Sequence, residues 1–321
     1  MELLKKYVSV PGASGSEKNI CEAIKSEIKN YVDEVYTDAL GNLIAHKKGN
    51  GKKIMFAAHM DEIGVVVTFI DDNGFLRFSN VGGLYTKELL GRRVIFENGL
   101  TGVIYTEKEN KNLQISKMYI DVGMSNKEEA EQKIKIGDTA VFEGSFHENN
   151  GRIISKSLDN RAGCFVLTEA AKLVKTDNDL YFVFTAQEEV GLRGARTAAF
   201  SIVPDLAVAI DVTDTGDTPN CEEMAVKLGG GACIKVMDRS VICDSEIRTA
   251  LIELAKKNGI PYQLEIMTEG GTDAGVIHLT KEGVKTGGIS IPTRYIHSPS
   301  EVADVKDIEA CIKLAAAFAG I

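Results

Sequence analysis

His59 and Asp61 sit in the segment Ala57-Ala58-His59-Met60-Asp61-Glu62-Ile63-Gly64, directly after the apolar run Ile54-Met55-Phe56. An imidazole and a carboxylate at a strand end can hold a metal, because ligands of open α/β sheets gather outside the carboxyl ends of the strands. Alone, the triplet is better read as a capped turn, since both residue types favour turns and strand ends. Repetition changes that reading. Tyr181 to Ala186 runs into Gln187-Glu188-Glu189, Leu206 to Ile210 runs into Asp211, and Gly288 to Pro292 leads through Thr293-Arg294-Tyr295-Ile296 to His297. Asp159, in Ser157-Leu158-Asp159-Asn160-Arg161, stands just ahead of the helix face Ala162, Phe165, Val166 and Ala170, where it suits both a helix N-cap and a metal carboxylate.

The elements that carry these groups must bring them to one place. The runs before Glu188 and Asp211 do not alternate apolar with polar residues, which is the pattern of strands buried on both faces of a parallel sheet. Four strands then deliver histidines and carboxylates to a single sheet edge. Two histidines with several carboxylates, His59, Asp61, Asp159, Glu188, Glu189, Asp211 and His297, form a nitrogen and oxygen set suited to zinc, cobalt or manganese. The set is too rich in nitrogen for a calcium or magnesium cage. Five plausible ligands are enough for two ions if one carboxylate bridges, and two metals about 3.5 to 4 Å apart are the arrangement of dinuclear hydrolases. In the adjacent pair Glu188-Glu189, one carboxylate can bind metal while the other, aimed differently, acts as general base.

Composition bounds the alternatives. The chain has 321 residues, 44% of them hydrophobic, enough for one large or two ordinary globular domains. Lys and Arg total 37 against 46 Asp and Glu, a net charge of −9, and no stretch joins basic residues with aromatics, so nucleic acid and anionic membrane are poor partners. No apolar run has membrane-spanning length and the opening Met1-Glu2-Leu3-Leu4-Lys5-Lys6 lacks the layout of a signal peptide, so a cytoplasmic location is expected. The six cysteines include no Cys-x-x-Cys pair and are expected to be reduced, mostly buried thiols. Gly229-Gly230-Gly231 and Gly270-Gly271 match neither a dinucleotide nor a phosphate-loop pattern.

Along the chain, Ser14 and Glu17 have capping-box spacing ahead of Ile20, Ile24 and Ile28, predicting an amphipathic first helix. Hairpin-like strands flank Asp38 to Asn42. From about 66 to 155 short alternating stretches separated by Asp72-Asn73-Gly74 and Asn98-Gly99 predict an all-β module, with one short helix opened by a capping box at Ser125 and Glu128. That module repeats no metal-type residues, and its His147 reads as a surface-loop histidine. His46 reads as solvent-facing and His278 as structural. Further helices are expected from Ser245 and from about Asp304. The economical architecture is an α/β domain, 1–65 and 156–321, interrupted by a β domain at 66–155.

These residues in this order resemble the tetrahedral (TET) aminopeptidases, dinuclear metallopeptidases that include glutamyl and deblocking aminopeptidases and some relatives labelled endoglucanase. AAHMDEIG (57–64), SLDNRAG (157–163), TAQEEVGLRGA (185–195), AIDVTDTGDTP (209–219), EGGTDAG (269–275) and SIPTRYIHSPSE (290–301) carry the resemblance over almost the whole chain. It implies a zinc-exopeptidase-like mixed α/β sheet with helices on both faces and a PDZ-like dimerisation insert. His59 and Asp211 would serve one metal, Glu189 and His297 the other, with Asp159 bridging, followed by a cis peptide to Asn160. Asp61 would orient His59, and Glu188 would be the general base. Two zinc or cobalt ions, with manganese also possible, peptide substrates and a homo-dodecamer built from dimers would follow. Asp214 departs from the histidine of many relatives, which bears on local substrate or lumen contacts.

Three other functions compete with removal of N-terminal residues from peptides. A glycosidase could use Asp61 and Glu188 as acid and base, but has no use for the remaining histidines and carboxylates. A non-catalytic peptide-binding module would not need Glu188. A metal-dependent deacylase would share the site and differ only in substrate.

Overall fold

Apolar residues four apart, Ile20, Ile24 and Ile28, turn one side of α2 (Lys18–Ile28) into the core, beside Leu4 and Tyr7 of α1 (Glu2–Ser9). The computed structural model describes residues 1–321. After these helices β1 (Glu34–Thr37) and β2 (Leu43–Lys47) pair antiparallel, and β3 (Lys53–His59) ends on His59.

The alternating stretches that follow form a closed barrel. Its strands are β4 (Gly64–Ile70), β5 (Leu76–Val81), β6 (Arg93–Phe96), β7 (Thr101–Thr106), β8 (Met118–Asp121) and β9 (Thr139–Phe142), with α3 (Lys127–Glu131) before the last. Period-two patterning sends Ile104 of β7 inward and leaves Val103 and Tyr105 outside, so Val65, Phe78, Ile104 and Ile120 pack into a core separate from the rest of the chain.

Then come β10 (His147–Asn149), β11 (Arg152–Ser155), α4 (Leu158–Leu173), β12 (Asp179–Thr185), α5 (Arg193–Ile202) and β13 (Leu206–Thr213). The chain closes with β14 (Ala232–Met237), α6 (Ser245–Lys257), β15 (Tyr262–Ile266), α7 (Ala274–Ile277), β16 (Lys285–Arg294), β17 (Glu301–Asp304) and α8 (Val305–Phe318). One 11-stranded mixed sheet runs β1-β2-β12-β3-β13-β16-β17-β11-β10, with β14 and β15 branching from β16. The four central strands β12, β3, β13 and β16 are parallel. Their register pairs Thr185 with His59 and Asp211 with Ser290, so their carboxyl ends open along one edge.

Helices cover both faces, which is why the central strands lack polar alternation. Ile54, Phe56 and Ala58 of β3 join the large core with α1, α2, α4, α6 and α8, whereas Met55 and Ala57 face the smaller cluster with α5. Phe56 stacks on Phe182 at 5.6 Å and meets Phe318 edge-on at 6.1 Å.

Several local expectations change. Ser14 and Glu17 do not form a capping box: α2 has no side-chain cap, because Ser14 Oγ donates to Asp61 Oδ2 at 2.6 Å and Glu17 accepts from Gly15 and Gln187. Asn126, rather than Ser125, caps α3 by accepting from Glu129 N at 2.9 Å. His46 is packed: Nε2 lies 2.6 Å from Asp179 Oδ1 and its ring stacks on Tyr181 at 4.1 Å. The barrel strands run from Gly64 to Phe142, while β10 and β11, within the stretch 66–155, belong to the large sheet because β11 pairs with β17. His147 lies exposed on β10, and the His278 ring bonds the Ala274 carbonyl at 2.9 Å.

Candidate active site

His59, at the end of β3, is almost fully enclosed. Its Nδ1 lies 3.0 Å from the Asp61 carbonyl oxygen, an acceptor that fixes the proton on Nδ1 and leaves the lone pair on Nε2. That nitrogen lies 3.0 Å from Asp159 Oδ1, 3.6 Å from Asp211 Oδ1 and 3.9 Å from Glu188 Oε2. On the other side, His297 Nε2 lies 3.3 Å from Asp159 Oδ2 and 3.3 Å from Glu189 Oε2. All six residues therefore meet at the sheet edge, with Asp159 between the two histidines. His297 is 27% exposed against 2% for His59, so the cluster opens to solvent on the His297 side.

The local chain explains these placements. Asp159 makes no cap bond to α4: it and Asn160 have non-helical backbone angles in the first turn, and it is Asn160 Oδ1 that accepts from Gly163 N at 2.9 Å while Asn160 Nδ2 donates to the Ile210 carbonyl at 2.8 Å. The Asp159–Asn160 peptide is cis, as the resemblance implied. Asp61 faces away from the cleft. Its carboxylate lies 3.5 Å from His59 Nδ1 and accepts from Glu188 N and Glu189 N, so the bond that orients the imidazole runs through the Asp61 backbone carbonyl. Arg161 is fully buried and ties the Met60 carbonyl to Tyr7, Val10 and Glu62.

Four carboxylates crowded against two histidines in a largely buried site are electrostatically unbalanced. Burial, opposed by His59 and reinforced by Asp211 and Glu189, pushes the Glu188 carboxyl well above the usual range. Burial, set against His297 and helped by Asp159, likewise raises Glu189. Asp159 moves the other way, because hydrogen bonds from both histidines outweigh its burial. Glu189 Oε1 is buried with no hydrogen-bond partner. Such an excess of carboxylate oxygen, with an orphaned lone pair and a histidine Nε2 aimed inward, fits divalent cations. His59, Asp159 and Glu189, and His59, Glu188 and Asp211, each bring ligand atoms within 4.8 Å of one another.

Several contributors were not singled out from sequence. Glu301 accepts from Asp159 N at 3.0 Å and from His297 N at 3.1 Å, so it fixes two of the candidates by their backbones. Its only signal was its place at the end of SIPTRYIHSPSE. Asp273, in EGGTDAG, is buried behind the cluster and accepts from Thr185 Oγ1 at 2.6 Å; burial pushes its carboxyl up to about 7. Gly82 and Gly83, just after β5, bring the barrel against Glu189 and His297. A cleft of about 940 Å³ opens on the cluster and is also lined by Tyr85, Asp214, Met267 and Arg294. Five cysteines are buried, and the exposed Cys221 borders this cleft.

A mixed sheet with both faces covered, a cleft at the carboxyl ends of its parallel strands, and a His and carboxylate cluster there define a hydrolase of the metal-exopeptidase type. The chain belongs to the M42 glutamyl aminopeptidase family, whose model matches residues 41–314, and it is an aminopeptidase. It is 59% identical to a putative aminopeptidase of Acetivibrio thermocellus over 98% of this chain and 96% of that protein. Aminopeptidase APDkam598 of the archaeon Desulfurococcus kamchatkensis superposes with a TM-score of 0.95 at 42% identity, covering 99% of this chain and 93% of that one. The Pyrococcus horikoshii TET1 peptidase, which can assemble into a tetrahedron or a large octahedral shell, superposes with a TM-score of 0.90 at 38% identity, covering 99% and 98%. No helix of the chain is long and apolar enough to cross a membrane.

Proposed function

We propose that this aminopeptidase removes N-terminal residues from peptides with two divalent metal ions, held by His59, Asp159, Glu189, Asp211 and His297, and with Glu188 as general base. The observation that carries the reading is the position of Asp159, whose Oδ1 lies 3.0 Å from His59 Nε2 and whose Oδ2 lies 3.3 Å from His297 Nε2. A carboxylate so placed can serve two ions at once, His59 with Asp211 on one side and His297 with Glu189 on the other. Zinc or cobalt suits this donor set, with manganese also possible. Such cations supply Lewis-acid polarisation of a carbonyl and acidify water.

The chain's own residues do the rest. Glu188, whose Oε2 is 3.9 Å from His59 Nε2, stands back from the histidine farther than Asp159 does. Although it also lies within ligand reach of His59 and Asp211, in this reading its carboxylate takes the proton of the attacking water and passes it to the amine nitrogen as the peptide bond breaks. The Asp61 carbonyl keeps His59 in the tautomer that presents Nε2. Glu301 keeps Asp159 and His297 in register. A glycosidase using Asp61 and Glu188 is disfavoured, because Asp61 is fully buried with its carboxylate engaged by Ser14, Glu188 N and Glu189 N.

The barrel exposes Phe69, Tyr105 and Ile136, each more than half accessible, which supports the barrel as a dimerisation surface. The dodecamer built from such dimers is proposed by analogy with the TET1 peptidase, which can assemble into a tetrahedron, and a cytoplasmic location is proposed with it. Metal analysis tests the centre. The wild type should hold two equivalents per chain, and Asp159→Ala one or none. Two tightly held ions in Asp159→Ala would remove the bridge. Light scattering during size exclusion that showed only monomer with metal present would reject the assembly.

A further inference from the structure

Four consecutive backbone N–H groups are each held by a side-chain oxygen from elsewhere in the chain. Ala186 N donates to Asn42 Oδ1 at 2.9 Å, Gln187 N to Glu17 Oε1 at 3.0 Å, Glu188 N to Asp61 Oδ1 at 3.0 Å and Glu189 N to Asp61 Oδ2 at 3.1 Å. They follow directly on the last residue of β12, Thr185, so no strand partner satisfies them.

The conformation they hold is one the chain would not adopt by default. Neighbouring residues of a strand point to opposite faces, yet Glu188 and Glu189 both line the cleft. Gln187 makes this possible by adopting φ +57, the left-handed region that few non-glycine residues occupy. The Glu188 carbonyl then accepts from Gly191 N and Leu192 N, turning the chain toward α5.

The holders are themselves fixed. Asn42 Nδ2 donates to Asp38 Oδ2 at 2.7 Å and to the Gly194 carbonyl at 2.9 Å. Asp61 is fully buried and takes the Ser14 hydroxyl at 2.6 Å. Glu17 is 6% exposed, and the Oε1 that takes Gln187 N also takes Gly15 N at 2.8 Å. A buried carboxylate whose identified partners are backbone amides, one of them next to the candidate base, is more than a surface charge on an N-terminal loop.

We propose that Glu17 is a positioning residue for the reaction: with Asn42 and Asp61 it fixes the 186–189 backbone so that Glu188 and Glu189 reach their places, and Ser14 locks Asp61 in the same frame. The inference rests on the reading of Glu188 as base and Glu189 as metal ligand. It separates Glu17 from a residue that merely packs the N-terminal loop, because it predicts an effect on kcat in protein that remains folded.

The test compares Glu17→Ala, Glu17→Asp and Glu17→Gln. Aspartate keeps the charge but loses reach, and glutamine keeps an acceptor oxygen of the same reach. In the metal-free chain, hydrogen exchange at 186–189 should quicken by about 10-fold or more in the alanine and aspartate variants, from loss of a bond to a carboxylate. With cobalt restored, their kcat should fall by about 10- to 100-fold, the effect of a displaced catalytic group, with KM within about twofold. Glu17→Gln should stay within about threefold of wild type on both measures, since the acceptor is retained. If Glu17→Ala does not fold, Glu17→Asp decides in its place. Folded variants with wild-type kcat and unchanged exchange would overturn the proposal, as would a glutamine variant as impaired as the alanine one. Glu188→Gln is assayed alongside: full activity there would bring down the base assignment, whereas its inactivity beside fully active Glu17 variants would bring down the positioning role alone.

Discussion

Gly83 lies against the imidazole of His297: a methyl group built on it would stand 2.9 Å from Nδ1 and 3.1 Å from Cε1. The barrel therefore reaches the active-site cluster and limits how far the His297 ring can move. Gly83→Ala should push that ring away from Asp159 and Glu189. Support residues around metal-binding histidines are worth about 10- to 100-fold in metal affinity, and a loss in that range is expected here. Titrating metal-free protein with cobalt would measure it, and an unchanged affinity in a folded Gly83→Ala chain would show that the ring has room.

Adjacent Glu188 and Glu189 are expected to part company under the same substitution. Glu188→Gln keeps size and metals but cannot take a proton, and should lose on the order of 10² to 10⁴ in kcat with metal stoichiometry unchanged. Glu189→Gln should weaken metal binding, as should His59→Ala or His297→Ala. If Glu188→Gln lost a metal while Glu189→Gln kept both, the two roles would have to be exchanged.

Asp217 ties the loop beyond β13 to the end of β16. Burial raises its carboxyl, but two bonds from Arg294, at 2.9 and 2.7 Å, more than offset this and hold it down at about 2 against an ordinary 3.8. A lowered folded-state value means that its stabilisation is complete above about pH 4 and fades as pH falls toward 2. Thermal midpoints of wild type and Asp217→Asn should therefore differ by a constant amount from pH 7 to about 5 and converge below 4. A gap that widened on acidification would contradict this linkage.

The parallel centre of the sheet was legible because strands buried on both faces show unbroken apolar runs, and each such run ended in a residue able to bind metal. The closed barrel was legible as alternation and turns, but its limits were not. β10 and β11 are short and polar, and nothing local distinguishes them from barrel strands; only their pairing with β17 does. The supporting contacts were hidden for a related reason. Ser14 and Glu17 have the spacing of a capping box, and that local pattern was overridden by long-range partners, Asp61 and Gln187, which no window of sequence contains. Glu301 and Asn42 likewise hold backbone amides remote in the chain, those of Asp159 and Ala186. Asp61 was expected to orient His59 through its carboxylate; its main-chain carbonyl, 3.0 Å from Nδ1, is the nearer acceptor, and the carboxylate, 3.5 Å from the same nitrogen, also serves the Glu188-Glu189 loop.

The most direct measurement of the central claim is hydrolysis of a panel of aminoacyl chromogenic substrates, with acylated and C-terminally free peptides in parallel, by protein stripped with chelator and then given zinc, cobalt or manganese singly. Chelation should abolish activity, re-added zinc or cobalt should restore it, and substrates with a free N-terminal amine should be cleaved in preference to acylated ones. Activity that survives complete chelation, or that is restored only toward acylated substrates, would contradict that claim.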